Sequence, residues 1–209
     1  MQQKLIDRSC EDFARVLAAK EPVPGGGGAA AYVGALAVAL CSMVGNFTTG
    51  KKTYAAVEED IQAMLKKGEE VRTRLLELVD KDAEAFEPLS RAYAIPRDDP
   101  RRAEVLEEAT KRACAAPLEM MRQVCAAIEL LEEMRQKGSR MLLSDVACGA
   151  LLARAALESA AVNVFVNTKT LTDKDFVRAT EAEVGSMLNE YATRAQECAQ
   201  TVMATIRER

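Results

Sequence analysis

The chain has 209 residues, 49% of them hydrophobic and 29% charged, with a formal net charge of −4 and no histidine. That length can bury one substantial core, and the absence of any linker-like or low-complexity stretch argues for one domain over residues 1–209. The missing histidine removes the commonest metal ligand and the commonest acid/base group, so proton chemistry falls to carboxylates, lysines, tyrosines or cysteines, and no metal site is expected. Acidic and basic residues are mixed along the chain, which suggests neither nucleic acid nor a membrane surface as partner.

Six cysteines, at positions 10, 41, 114, 125, 148 and 198, lack metal-ligand spacing. They read as reduced thiols in a cytoplasmic protein. Ser9 followed by Asp12 reads as the capped start of a first helix, with Phe13, Val16 and Leu17 as its apolar stripe. The segment Pro22–Gly50 then runs without a charge. Its prolines stop an incoming helix, its four glycines read as an entry of unusual backbone conformation, and a helix is expected from Ala29. Ala30, Gly34, Ala37 and Cys41 put small groups on one face, where neighbouring helices can approach closely. Apolar on its other faces too, this is a buried central helix; the rival reading is a membrane span, for which it is short, alanine-rich and without basic or aromatic flanks. A phosphate loop at Gly25–Gly28 would need a preceding strand and a Gly-Lys-Ser/Thr ending, and neither is present.

Beyond the polar break at 48–52, the pattern predicts a long helix from about Thr53 to Tyr93, with Pro88 near its end. Asp99-Pro100 opens another to about Lys137, with a kink at Pro117 and Gly138 as its stop. Ser144 caps a helix to about Thr168, and Thr172-Asp173-Lys174-Asp175 opens the last, to about Arg207. No strand-like alternation occurs. The fold class is all-α, a bundle of five or six long helices around the Ala/Gly-rich one.

Two polar features interrupt this pattern. Ile61, Met64, Gly68, Val71, Leu75, Leu78, Asp82, Phe86 and Leu89 advance in steps of three and four, so Asp82 holds a core position while Asp80 lies off the line. A carboxylate there either ties helices together or lines a wet pocket, where desolvation raises its pKa toward the range useful for proton transfer. Asn163 and Asn167 share a face in an apolar run, either as helix ties or as the wall of a cavity that reads a heterocycle. Ser144-Asp145 can be a cap or a ligand contact. Lys51 and Lys52 are surface charges or anchors for an anion.

At these residues the chain resembles the cyclodeaminase/cyclohydrolase family of folate enzymes. The resemblance rests on the run Pro22 to Ala31, on Ser42 through Tyr54, on Asp82-Ala-Glu-Ala-Phe86, on Ser144-Asp145, and on Asn163 through Lys169, which follow one another in order along most of the chain. It implies an all-helical homodimer acting on a tetrahydrofolate substrate without a further cofactor. The implied catalytic residue is Asp82, and the implied substrate contacts are Gly25, Gly26, Gly27, Lys51, Lys52, Ser144, Asp145, Asn163 and Asn167. The family joins two activities: methenyltetrahydrofolate cyclohydrolase, which opens 5,10-methenyltetrahydrofolate to 10-formyltetrahydrofolate, and formiminotetrahydrofolate cyclodeaminase, which closes a ring with loss of ammonia. The GGGGAAA and NVFVN segments favour the stand-alone cyclohydrolase, and Gly28 lacks the hydroxyl that the bifunctional type, with GGGS, could use near its ligand. The alternatives are the cyclodeaminase and a non-catalytic folate binder.

Overall fold

The computed structural model describes residues 4–208. Within them the chain forms eight α-helices and no strand: α1 (Cys10–Leu17), α2 (Gly26–Thr48), α3 (Glu58–Tyr93), α4 (Arg102–Ala113), α5 (Ala115–Lys137), α6 (Leu143–Thr168), α7 (Lys174–Met187) and α8 (Thr193–Arg207). The core is centred on α2, which packs against α3, α5 and α6. Its small face is buried as the spacing requires: Ala30, Gly34, Ala37 and Cys41 are all inaccessible. A β-carbon at Gly34 would lie 3.1 Å from Val124 Cγ2 of α5 and 3.4 Å from the Leu75 methyls of α3, so the small residue sets how closely three helices meet. Gly149 does the same on α6, where a β-carbon would lie 3.2 Å from the Ala37 carbonyl. Cys41 is packed as a small apolar group, and burial pushes its thiol up to about 12.

Several helix boundaries differ from those expected, each for a local reason. The central helix begins at Gly26, not at Ala29, so three of the glycines are helical. The Ser9 cap is as expected, with its hydroxyl accepting from the Asp12 amide at 3.1 Å. Residues 52–57 form a 3₁₀ turn before α3 rather than its first turns. Gly50, at φ 74, makes the reversal that leads into it, and its amide donates to Glu58 at 2.9 Å. Pro88 lies inside α3 without ending it. The expected single helix 100–137 is two, broken at Cys114. Pro117 is the cause: it has no N–H for the carbonyl four residues back, and its ring crowds that carbonyl, which belongs to Ala113, the last residue of α4. Ser144 is not a cap. A 3₁₀ turn at Arg140–Leu142 leads into α6, which starts at Leu143 with Ser144 already inside it. Asp173, not Thr172, caps α7, its Oδ1 accepting from the amides of Asp175 and Phe176. A turn of π-helix, Leu188–Ala192, joins α7 to α8.

Helices α2 and α6 run antiparallel side by side. Asn163, near the C-terminus of α6, meets Gly26 at the start of α2, while the Ser139 amide, just before α6, donates at 2.8 Å to the Thr48 hydroxyl at the end of α2. By length and composition alone both are apolar enough to cross a membrane, and about half of each is buried within the bundle. Their outward faces stay apolar. Val33, Leu36 and Phe47 on α2 and Leu151, Val162 and Val166 on α6 advance in helical steps along them, with Val162 63% and Val166 61% exposed.

Candidate active site

The N-terminal end of α2 carries the feature that the rest of the site is built around. The side chain of Asp82, from the apolar stripe of α3, lies directly on Gly27. A β-carbon at Gly27 would stand 2.5 Å from both carboxylate oxygens. No side chain other than hydrogen fits there. The glycine run therefore serves close approach and not special backbone angles, since Gly50 is the one glycine with positive φ. The first amides of α2 have no partner within the helix and carry its positive dipole end, which favours an anion. The Gly28 amide beside the carboxylate does lower the Asp82 pKa somewhat, but burial is the larger effect and holds it above the usual carboxylate range.

Asp82 faces a cavity of about 180 Å³ lined by Gly25, Gly26, Gly27, Phe86, Asn163 and Asn167, with Pro22, Val23 and Val166 at its edges. Ala113 and Pro117 complete the wall. Those last two were not visible as site residues in the sequence, because the α4–α5 break that turns them toward the cavity reads there as a kink. The two asparagines do not tie helices together. Asn163 Nδ2 donates to the Ser159 carbonyl one turn earlier in its own helix at 2.8 Å, which orients the amide, and the Asn167 side chain has no hydrogen bond to another described residue. Of the expected site residues, Asp82, Gly25, Gly26, Gly27, Asn163 and Asn167 are thus brought to one place.

Lys51, Lys52, Ser144 and Asp145 are not. They lie past the far end of α2 and at the start of α6, and the 22-residue rise from Gly26 to Thr48 separates them from Asp82 by about 33 Å in the same chain. There Tyr54 accepts from the Arg140 amide at 3.1 Å, and this contact holds its pKa below the usual phenol value. Asp80 is excluded from the cavity as well, since its Oδ1 accepts the Leu5 amide at 2.6 Å and fastens the N-terminal 3₁₀ turn to α3. Gly28 faces Pro24 and Val79 and is not part of the cavity lining.

A sequence profile of the Formiminotransferase-cyclodeaminase family matches residues 9–186. The chain belongs to this family. It is 38% identical over 204 residues to the methenyltetrahydrofolate cyclohydrolase of Methylorubrum extorquens, covering 96% of this chain and 98% of that one. It is 33% identical to the formimidoyltransferase-cyclodeaminase of Mus musculus, over 93% of this chain but 37% of the mouse protein. Among solved structures, the formiminotetrahydrofolate cyclodeaminase of Thermotoga maritima superimposes with a TM-score of 0.84 at 32% identity, over 96% of each chain.

Proposed function

We propose that the protein is a methenyltetrahydrofolate cyclohydrolase of one-carbon metabolism, working in the cytoplasm on a small-molecule folate, without nucleic acid, membrane or a further cofactor. The observation that carries the proposal is the Asp82 carboxylate, half-buried on the amide end of α2 and facing a cavity walled by two asparagine side chains. The 38% identity to the Methylorubrum enzyme, against 32% to the equally coextensive Thermotoga cyclodeaminase, favours hydrolysis over ring closure.

The substrate is a cation at its one-carbon bridge. An ionised carboxylate in a poorly solvated cavity attracts that charge and accepts a proton from water as the water oxygen bonds to the bridge carbon. The adduct then opens by breaking the bond from that carbon to N5. N5 receives the proton held by Asp82, the new hydroxyl becomes the formyl carbonyl, and its proton leaves to solvent. The cationic bridge plus water thus gives the uncharged formyl group of 10-formyltetrahydrofolate and one proton. Burial raises the Asp82 pKa above its ordinary value and so makes the carboxylate a stronger base, and Asn163 and Asn167 can hold the heterocycle by its polar edge.

The proposal includes a homodimer built on the apolar outward faces of α2 and α6. Two copies related by a two-fold axis across the middle of α6 would set those faces together and lay the Lys51–Asp145 end of one protomer beside the Asp82 cavity of the other. This is the arrangement in which Lys51, Lys52, Ser144 and Asp145 could touch ligand. The decisive assay follows the near-ultraviolet absorbance of 5,10-methenyltetrahydrofolate with and without the protein. Faster loss than in buffer supports hydrolysis. No acceleration, with ammonia released from 5-formiminotetrahydrofolate, would make the protein a cyclodeaminase, and binding without either reaction would make it a folate-binding protein.

A further inference from the structure

The Asp82 cavity, at about 180 Å³, is smaller than the roughly 300–1,000 Å³ of pockets that enclose a small ligand. A folate bound with its reacting carbon at Asp82 must therefore extend out of it. Three of the cavity walls continue in one direction. Seven residues beyond Phe86, about 10 Å along α3, stands Tyr93; one turn back from Ala113 on α4 is Thr110; just past Asn167 is Thr170. Together with Arg102, Leu106 and Thr172 these residues line a second cavity of about 290 Å³. The offset along α3 is comparable with the span from the reacting bridge, through the aminobenzoyl ring, to the glutamate of a folate.

The chemistry of this second cavity suits carboxylates. Arg102 is half-buried, and its Nε donates to the Ile95 carbonyl at 2.8 Å, which fixes the guanidinium, yet no carboxylate lies within ion-pair distance of it among the described residues. Neighbouring cations are occupied: Arg101 pairs with Asp99 at 2.9 Å and Lys111 with Asp173 at 2.9 Å. Thr110 is 3% exposed, and its hydroxyl has no partner among the described residues. Glu107, the one acidic group in the lining, has both carboxylate oxygens engaged by the Thr172 and Asp173 amides, which hold it in place and stabilise its charge. Polar hydroxyls around an uncommitted, fixed guanidinium match an anionic tail.

We propose that the crevice between α3, α4 and the end of α6, with Arg102 as its cation, is the subsite for the glutamyl carboxylates of the folate. It rests on the folate reading above, and it assigns the tail to the same chain as Asp82, not to Lys51 and Lys52. The test compares 5,10-methenyltetrahydrofolate with 5,10-methenyltetrahydropteroate, which lacks the glutamate, in wild type, Arg102→Gln and Thr110→Val. Gln keeps a donor for the Ile95 carbonyl while removing the charge.

The wild type is expected to show a KM about tenfold or more lower for the folate than for the pteroate. Arg102→Gln should raise the folate KM by about tenfold at low salt, less at high salt, with kcat and both pteroate constants retained. Thr110→Val should act in the same direction, about threefold, and it carries the test if Arg102→Gln fails to give a wild-type thermal melt. A wild type that accelerates neither substrate overturns the cyclohydrolase reading, and the two compounds are then compared by equilibrium binding: equal affinity, or no binding of either, overturns the subsite as well. A wild type that hydrolyses both with equal KM, or an Arg102→Gln effect equal on both substrates or absent from both, overturns the subsite alone. So does a tail preference that survives Arg102→Gln and disappears when Lys51 and Lys52 are neutralised.

Discussion

Replacing Gly27 with alanine tests the site without changing the chemical identity of any polar group. The added β-carbon would sit 2.5 Å from both Asp82 carboxylate oxygens, where ordinary contact begins at 3.4 Å, so the carboxylate must retreat by about 0.9 Å. A misplacement of about 1 Å in a reacting group can lower a rate by about 10²-fold. Alanine is otherwise the better helix residue, by up to about 1 kcal/mol in a helix interior and less in this first turn, so thermal stability should change little. The expected result is therefore a kcat lowered by about 10²-fold in a well-folded protein. Gly185→Ala is the control, since its β-carbon meets nothing within 4 Å and it lies on α7, outside the site. Methenyltetrahydrofolate turnover and thermal melting are measured on the same preparations. Near-normal turnover by a folded Gly27→Ala protein would refute the argument that Asp82 acts from its seat on the end of α2.

Asp82→Asn should lower turnover by about 10²–10⁴-fold, the usual worth of a general base, while the protein still binds folate in a fluorescence titration. Its melting temperature should rise at neutral pH. A folded-state pKa raised by burial means that the ionised group opposes folding above that pKa, whereas below the unfolded value both states are protonated and the cost is gone. The gain in Asp82→Asn should therefore shrink as pH falls through the folded-state pKa of Asp82; a loss of stability on substitution at neutral pH would instead mark the carboxylate as a helix tie. The wild-type kcat should fall on the acid side with an inflection above 3.8, the ordinary value for this group, as the base becomes protonated. Sedimentation at micromolar concentration should give a dimer, and Val162→Asp, which puts a charge on the exposed α6 stripe, should shift it toward monomer; a monomeric wild type would contradict the proposed interface.

Periodicity carried most of what was legible. The α3 stripe identified the one carboxylate that reaches the cavity, because a helix face is a local property of spacing and the core on one side of α3 is continuous from Ile61 to Leu78. The Ala/Gly face of α2 was legible for the same reason. What the sequence left hidden depends on contacts between distant residues. A glycine run reads locally as conformational freedom, yet at Gly27 the requirement is space for a side chain 55 positions away. Pro117 announced an irregularity, but which carbonyl it crowds, and that the resulting break exposes Ala113 to the cavity, follows only from the packed helix. The grouping of Lys51, Lys52, Ser144 and Asp145 with Asp82 failed within one chain because composition gives no hint of which end of an antiparallel helix pair a residue occupies. Their chemistry was readable, whereas their address was not.

This site, in a chain without histidine, takes its base from a carboxylate, whose ordinary pKa makes it a weak one. Burial among Phe86, Pro117 and the α2 backbone raises the pKa, and taken far enough it would leave the group protonated and useless as a base. The amide end of α2 works in the opposite direction, and it can do so only because nothing larger than hydrogen stands at Gly27. Proton affinity and ionisation are thus set by two separate features, the apolar wall and the helix end. A substitution that widens the wall, such as Phe86→Ala, should let water in and lower the Asp82 pKa, moving the acid limb of the kcat profile to lower pH while weakening the base. Gly27→Ala should move the limb the other way, because it lifts the carboxylate off the amides while leaving the wall in place. Opposite displacements of one titration by two neutral substitutions are what this division of labour requires, and equal displacements would show that a single desolvation effect governs the group.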